Sequence, residues 1–79
     1  MTDGGLEAKL LQAHDANDLS ALVTLYTQAA DQAELQSTTD SACFFLTHAW
    51  IFALEAGDDR AEPLKARLVA HGREVATLG

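Results

Sequence analysis

The one cysteine and the nearest histidine are the first residues to consider for catalysis. Cys43 and His48 lie five residues apart, which places their side chains about 140° apart around a single helix. A nucleophile must come within hydrogen-bond reach of its base, so this pair does not form a catalytic dyad. Phe44 and Phe45 follow the cysteine directly. We therefore interpret Cys43 as a small buried hydrophobic residue.

Three histidines could ligate a metal ion if the fold brought them together. His14, His48 and His71 fall on three different predicted helices. None belongs to a His-x-x-x-His or Glu-x-x-His pair, the spacings that place two ligands on one helical face. We therefore interpret them as surface or partly buried residues, and we expect no metal site and no cofactor.

Two pairs of acids, Asp15-x-x-Asp18 and Asp58-Asp59, could suggest calcium. Neither lies in the oxygen-rich loop of an EF-hand, and both fit the role of helix caps better. The chain also has no glycine-rich phosphate loop, no Gly-x-Ser-x-Gly motif and no CxxC pair. We therefore expect that the protein is not an enzyme.

Four aromatic residues cluster in one segment and could line a small-molecule pocket. They are Phe44, Phe45, Trp50 and Phe52. Aromatic residues at helical spacing more often form a core, because burying them is strongly favourable. These four nevertheless occupy more sides of a helix than a small bundle can cover. The sequence therefore favours an interface with another protein chain.

Helices must position all of these residues. Alanine and leucine dominate, a single proline interrupts, and no segment alternates as a strand would. The sequence predicts an all-α fold, a small array of about four helices near 6–15, 19–35, 40–56 and 60–72. Short connections make consecutive helices antiparallel. We expect one helical domain over residues 1–79.

The second and third predicted helices each carry an apolar stripe at the spacing of one helical face. In the second helix the stripe is Leu19, Leu22, Val23, Tyr26, Ala29, Ala30 and Ala33. In the third helix it is Ala42, Leu46, Ala49, Trp50 and Ala53. Three large residues of the third helix lie off that stripe: Phe44, Ile51 and Phe52. Three residues of the fourth helix are expected to pack inward: Leu64, Leu68 and Val69.

Capping residues are expected to set the helix ends. Asp18 is the predicted N-cap of the second helix, and Gly57 is the predicted left-handed C-cap of the third. Asp58 or Asp59 is the predicted N-cap of the fourth helix, with Pro63 in its first turn. The third helix has three alternative N-caps: Thr38, Thr39 and Asp40.

The charge pattern limits the possible partners. The net charge is −7, and residues 1–56 hold eight acids and one base, so they carry all of it. Five basic residues are too few to hold nucleic acid. The excess of acid either keeps the chain in solution or attracts a basic partner to residues 1–56.

The hydropathy of the sequence and its cysteine content indicate where in the cell the protein is expected. The most apolar stretch, around Phe44 to Leu54, falls far short of the roughly 20 residues that a membrane span needs. The N-terminus has neither the basic region nor the apolar stretch of a targeting segment, and a lone thiol suits a reducing compartment. We expect a cytoplasmic protein that does not bind membranes.

A shift of twenty residues aligns part of the second helix with the third. The aligned pairs are Leu22 with Ala42, Leu25 with Phe45, Tyr26 with Leu46, Thr27 with Thr47, and Ala29 with Ala49. Two amphipathic helices can match in this way by chance, so the alignment alone does not establish a repeat.

The stretch from Tyr26 to Leu54 resembles one tetratricopeptide repeat, a helical hairpin with large and small residues at fixed offsets. Tyr26 takes the first large position. The following small or apolar positions are taken by Ala29, Ala30, Ala33, Ala42, Leu46 and Ala49. The chain departs from the family's pattern at three places: Ala33 replaces a large residue, Ser37-Thr38 replaces the usual Gly-Asp turn, and Leu54 replaces proline.

The resemblance also implies a binding surface. In tetratricopeptide proteins the ligand lies along the first helix of each hairpin. By position from Tyr26, the residues implied are Thr24, Thr27, Asp31 and Glu34. Because two of them are acidic, we expect a partner segment rich in Lys or Arg, bound weakly and with marked salt dependence. The alternative is that these four residues form only the solvated face of an amphipathic helix.

We expect a protein–protein interaction module, either an adaptor or a scaffold. The first alternative is a small obligate homodimeric structural or regulatory subunit with no peptide groove. The second is a small-molecule binding domain that uses the aromatic residues. Closed two-fold pairing is the commonest form of self-association. We therefore predict a homodimer that buries Phe44, Ile51 or Phe52 against the second copy.

Overall fold

A computed structural model describes residues 3–72, and within that range it contains four helices and no strand. Helix α1 spans Asp3–Ala16, α2 spans Leu19–Leu35, α3 spans Thr39–Ala56 and α4 spans Ala61–Ala70. The predicted all-α array is confirmed, whereas both ends of the predicted domain, residues 1–2 and 73–79, lie outside the described range. None of the four helices is long and apolar enough to cross a bilayer.

Helices α2 and α3 match their predicted bounds closely, and α1 and α4 differ from theirs. Helix α1 begins three residues early and includes Gly4 and Gly5. Each glycine costs about 1 kcal/mol relative to alanine but keeps its backbone hydrogen-bonding groups, so the pair does not end the helix. Helix α4 ends at Ala70, where the N–H of His71 turns back onto the last turn and Gly72 takes a positive φ of 85°.

Small residues bring α2 and α3 close together. The buried alanines of these two helices are Ala29, Ala30, Ala33, Ala42, Ala49 and Ala53. Leu22, Val23 and Leu46 fill the remaining space and are almost fully buried. The two predicted stripes are therefore confirmed as the core faces of the hairpin. Any close-packed helical hairpin buries small residues in this way, so their burial does not distinguish a tetratricopeptide repeat from other hairpins. The resemblance to tetratricopeptide repeats therefore stays a prediction.

Helix α4 completes the core on the other side of α3. Leu64 and Leu68 are buried and join the same cluster as Trp50. The prediction that Val69 packs inward is wrong, because its side chain is 47% exposed. Val69 lies one residue beyond Leu68, about 100° further around the helix, and α4 buries only one face.

The contacts between α2 and α4 show that these two helices run in the same direction. Arg60, at the start of α4, bonds Ser20 at the start of α2, whereas Arg67 near the end of α4 pairs with Asp31 near the end of α2. Helix α3 returns between them. The shortest dimension of the molecule is 15 Å. Because packed helix axes lie about 8–10 Å apart, this array is at most two helices thick, and its helices keep outward faces.

The three turns between helices share one geometry. Asn17, Ser37 and Gly57 each take the left-handed conformation, with φ values of 55°, 61° and 65°. The N–H of the next residue then donates to a carbonyl of the preceding helix, from Asp18 to Ala13, from Thr38 to Ala33 and from Asp58 to Ala53, at 2.8–2.9 Å. These are Schellman-type ends. They recur at the twenty-residue offset that aligns α2 with α3 in the sequence.

Capping follows the predictions for two helices and differs for a third. Asp18 caps α2 by accepting the N–H of Ala21 at 3.2 Å, and Gly57 caps α3. Thr38 is the N-cap of α3, although its hydroxyl donates to a carbonyl of α2. The predicted acidic N-cap of α4 is wrong. Asp58 instead accepts the N–H of Arg60, two residues on, in an Asx turn, and Arg60 becomes the N-cap.

The shared turn geometry predicts that two substitutions, at Gly57 and at Ser37, change the free energy of unfolding in opposite directions. Gly57→Ala should lower the free energy of unfolding by about 1 kcal/mol, because a side chain is strained at φ 65°. Ser37→Gly should raise it by a few tenths of a kcal/mol up to about 1, because it relieves the same strain. Urea denaturation followed by circular dichroism measures both changes.

Gly5→Ala is the matched control for Gly57→Ala. Gly5 lies within α1, and an added Cβ would meet nothing within 4 Å. This substitution should stabilise the protein by about 0.5–1 kcal/mol. Equal signs for Gly57→Ala and Gly5→Ala would contradict the left-handed assignment of Gly57.

Candidate interaction surface

Arg60 ties the start of α4 to the first turns of α2. Its guanidinium donates to both carboxylate oxygens of Asp58, from Nε at 3.0 Å and from Nη2 at 2.7 Å. It also donates to the Thr24 hydroxyl at 2.7 Å and to the hydroxyl and carbonyl of Ser20 at 3.2 and 3.3 Å. The hydrogen bonds from Arg60 hold the pKa of Asp58 at about 2, below its ordinary 3.8. A bidentate pair of this kind fixes both position and orientation.

Arg67 makes a second connection near the end of α2. It bridges Asp31 and Glu34, with both N–O distances at 2.8 Å, and His71 donates to the other oxygen of Glu34 at 2.8 Å. The hydrogen bond from His71, followed by that from Arg67, lowers the pKa of Glu34. Together the two arginines hold α4 along α2.

These two connections account for the four residues predicted to bind a partner, Thr24, Thr27, Asp31 and Glu34. Three of them contact Arg60 or Arg67 directly. Thr27 lines a cleft of about 120 Å³ between the two arginines. The stripe does face a basic helix, as its charge suggests, but that helix is the chain's own α4. The geometry therefore gives no support for an external partner on this stripe.

Tyr26 is the centre of an aromatic cluster where α1, α2 and α3 meet. Its ring stacks on His48 and Phe52, with centroids 5.2 and 5.8 Å away, and tilts against Phe45 at 6.3 Å. From α1, His14 reaches the tyrosine hydroxyl at 3.3 Å. The rings pack against one another, as aromatic core residues do.

Phe52 belongs to this cluster and not to the outward surface. It is half-buried, packs against the core and lies nearly parallel to Tyr26. Phe52 is therefore less accessible than Phe44 and Ile51, and the dimer interface predicted to use one of these three residues stays a prediction. The sequence grouped the three because all lie off the core stripe. Phe52, however, is about 100° from Ile51 around α3.

The residues considered for catalysis and metal binding do not come together in the structure. Cys43 is buried, as interpreted from the sequence, and His48 Nδ1 donates to the carbonyl of Phe44 at 2.9 Å. Among residues 3–72 no three of His, Cys, Asp and Glu are grouped so as to hold a metal ion. Two clefts along the described helices, about 510 and 460 Å³ in volume, are open to solvent.

Within residues 3–72, the other helices leave one face of α3 uncovered. It carries Asp40, Phe44, His48, Ile51 and Glu55 at successive offsets of four, four, three and four residues, and we call these five residues the α3 outward stripe. At 100° per residue they fall within an arc of about 80°. Phe44 is 57% exposed and Ile51 is 42% exposed. The stripe thus has an apolar middle and an acid at each end.

The stripe is a rigid surface. His48 is held from behind by stacking on Tyr26 and by its bond to the Phe44 carbonyl. The phenyl ring of Phe44 lies 4.4 Å from the His48 ring, between centroids. The open cleft of about 510 Å³ runs beside Asp40, Phe44 and His48. The sequence predicted Phe44 and Ile51 here but missed the two acids. Their shared spacing with the apolar residues was the signal that could have identified them.

Comparison with protein-family models, with curated proteins and with solved structures gave no match to this chain. Its function is therefore inferred from its own residues.

The ion pairs of Arg67 with Asp31 and Glu34 predict how the stability changes when these charges are reversed. Asp31→Lys with Glu34→Lys should lower the free energy of unfolding by about 1–2 kcal/mol, because two cations would then face Arg67 on a largely solvent-screened surface. Adding Arg67→Glu should recover part of that loss. Urea denaturation of the wild type, the double variant and the triple variant measures how strongly Arg67 is coupled to the two acids. If the triple variant is no more stable than the double variant, the contact between Arg67 and these acids is contradicted.

The lowered pKa of Asp58 predicts a pH-dependent contribution to stability. Because the folded-state pKa is depressed, the contribution is present above pH 3.8 and is lost as the pH falls through about 2. Asp58→Asn removes it at every pH. The urea midpoints of wild type and variant should therefore differ near neutral pH and converge towards pH 2. Asp59→Asn, at the neighbouring acid, removes one negative charge without touching the contact with Arg60 and is the matched control.

Proposed function

We propose that this protein is a protein-interaction module whose contact surface is the α3 outward stripe. The observation that carries the proposal is the exposure of Phe44 and Ile51 in the middle of α3, the helix with the most buried residues. Its inward side is packed on α2 and α4. A partner that covers the outward side would remove the largest apolar side chains of this face from water.

Energetics support a contact of this size. Full burial of a phenylalanine or isoleucine side chain contributes about 1.5–3 kcal/mol. A central apolar pair with a polar rim is the usual arrangement of the residues that dominate binding. Scattered exposed residues such as Leu11 and Leu35 are normal on any surface. Phe44 and Ile51 differ because they lie seven residues apart on one face of one helix, with Leu54 beside them.

The predicted homodimer would use the same face and is the second candidate. Its support is that Phe44 and Ile51, two of its three predicted interface residues, are exposed. The tetratricopeptide-like resemblance, which also implies a binding hairpin, adds to the proposal of an interaction module. The proposed location is the cytoplasm, since Cys43 is an unpaired thiol.

The test is affinity capture from a lysate of the source cells with wild-type protein and two double variants. Phe44→Gln with Ile51→Gln removes the apolar middle of the stripe. Leu11→Gln with Leu35→Gln removes two exposed leucines elsewhere, which are 63% and 84% exposed. Proteins captured by the wild type should be retained by the second variant and lost with the first.

Melting curves of the three proteins establish that each is folded, because all four substituted side chains are exposed. Equal capture by both double variants would show that the α3 outward stripe is not the contact surface. Capture by neither, with both folded, would place the contact on α1 and the end of α2 as well, and would contradict a surface confined to α3.

A further inference from the structure

Helix α1 is held to the rest of the molecule by few buried residues. The core cluster of the described residues takes its members from α2, α3 and α4 and none from α1. Among residues 5–16, only Ala13 is buried, whereas Leu6 and Leu10 are half-buried and Leu11 is exposed. Helices α2, α3 and α4 therefore share a core of their own, and α1 lies on its outside.

We call the surface that α1 covers the α1 seat. It is formed by Ala21, Leu25, Tyr26 and Ala29 of α2 and by Phe52 of α3. Two open clefts, of about 460 and 280 Å³, run between α1 and this surface, so α1 fills it incompletely. His14 makes the specific contacts, because it lies 3.3 Å from the Tyr26 hydroxyl and packs edge-on against Phe52. The α1 of any copy of this chain carries the same residues and can make the same contacts.

The connection between α1 and α2 is a short hinge in a left-handed turn. Only Asn17 and Asp18 separate the two helices, and Asn17 has a φ of 55°. Asparagine tolerates this conformation better than most residues, but the right-handed helical conformation is lower in energy for every L-residue. If both hinge residues became helical, α1 and α2 would join into one helix over residues 3–35, about 50 Å long. The joined helix would carry α1 away from its own seat.

We propose that two copies of this chain exchange α1, each placing its α1 on the α1 seat of the other. A detached α1 needs such a seat, because a helix of 14 residues that includes two glycines is marginal in water. The seat that fits it is present on every copy of the chain. Exchange of an identical element is a low-cost route to a dimer, and a short hinge under strain favours it.

The charge of the chain sets the conditions for this exchange. Leu6 shares a cleft with Ala29, and Ala13 shares one with Ala21, so α1 runs antiparallel to α2. Two joined helices in the same arrangement would cross at their hinges and bring the acids beside Asn17 close together. Repulsion between these acids, added to a net charge of −7 on each copy, favours the monomer at low salt. Added salt should therefore raise the fraction of dimer.

The exchange has a consequence for binding. Each half of the dimer repeats the packing of the monomer, with one α1 on each seat. Under the proposed function, the dimer would carry two α3 outward stripes on one particle. Two linked contact surfaces bind a partner with two matching sites more tightly than either surface does alone.

The first arm of the test changes the hinge. Asn17→Ala strains the left-handed turn and favours the joined helix, whereas Asn17→Gly relieves the turn and weakens that helix. Each protein is refolded from urea at high micromolar concentration and examined by sedimentation. Because a dimer contains two hinges, the association constant should rise on the order of thirtyfold for Asn17→Ala and fall about tenfold for Asn17→Gly.

Gly57→Ala is the matched control for Asn17→Ala. It strains a left-handed turn of the same geometry, but the helices that flank it, α3 and α4, both contribute to the core cluster. Its association constant should equal that of the wild type. Asp18→Ala is a second hinge variant for the case that Asn17→Ala does not fold, and it should raise the association constant because it removes the cap of α2.

The second arm identifies the contacts within the dimer. Labelled and unlabelled chains of the hinge variant are refolded together, and isotope-filtered NMR detects contacts between chains. Contacts of the His14 ring with Tyr26 and Phe52 should cross from one chain to the other in the dimer. The same contacts should lie within one chain in the monomer of Asn17→Gly.

The outcomes separate this exchange from the proposed function. A dimer in which His14 contacts only its own chain would overturn the exchange, and so would hinge variants that fold but remain monomeric. Phe44→Gln with Ile51→Gln, added to the hinge variant, should leave the dimer intact. Loss of the dimer in that combination would assign association to the α3 outward stripe and overturn the exchange. Failure of the proposed function would instead appear as unchanged capture of partners by Phe44→Gln with Ile51→Gln alone.

Discussion

The close approach of α2 and α3 through alanine is the constraint on which the rest of the structure depends. Where facing residues are alanines, the helix axes come near each other and little room remains for larger side chains. Among residues 3–72, the largest side chains that are less than 2% exposed are Leu22, Val23, Leu46 and Leu68. Other bulky residues are therefore displaced to the edges of the interface or out of it, apart from Trp50, which is buried in the core cluster with Leu64 and Leu68 of α4. Tyr26 and its neighbouring rings pack at the edge, and Phe44 and Ile51 are left outside.

The same constraint explains why local patterns predicted the hairpin so well. A stripe of small and apolar residues at helical spacing defines which face is buried, and the left-handed turn at Gly57 defines where α3 ends. These features are encoded within one or two turns of chain. The bounds of α2 and α3 and their core faces could therefore be predicted without knowledge of any long-range contact.

The position of α4 could not be predicted in that way. It depends on the packing of Leu64 and Leu68 against α3, and on Arg67 meeting Asp31, 36 residues earlier in the chain, and Arg60 meeting Ser20 at a separation of 40. Sequence reasoning saw the acids of α2 as an exposed stripe because their partners are distant in sequence. It also grouped Phe52 with Phe44 and Ile51, since all three avoid the core stripe. The stacking of Phe52 on Tyr26 of α2 shows that this side of α3 is packed against the rest of the chain.

The negative charge of the chain bears on how its exposed apolar face behaves in solution. An exposed phenylalanine and isoleucine on a flat helical surface would favour pairing between copies of the chain. The net charge of −7 opposes that pairing in part, because two copies of the chain repel each other at long range. The buried alanines of the hairpin hold Phe44 and Ile51 on the outward face of one helix, so the same packing that forms the core also leaves an apolar pair exposed.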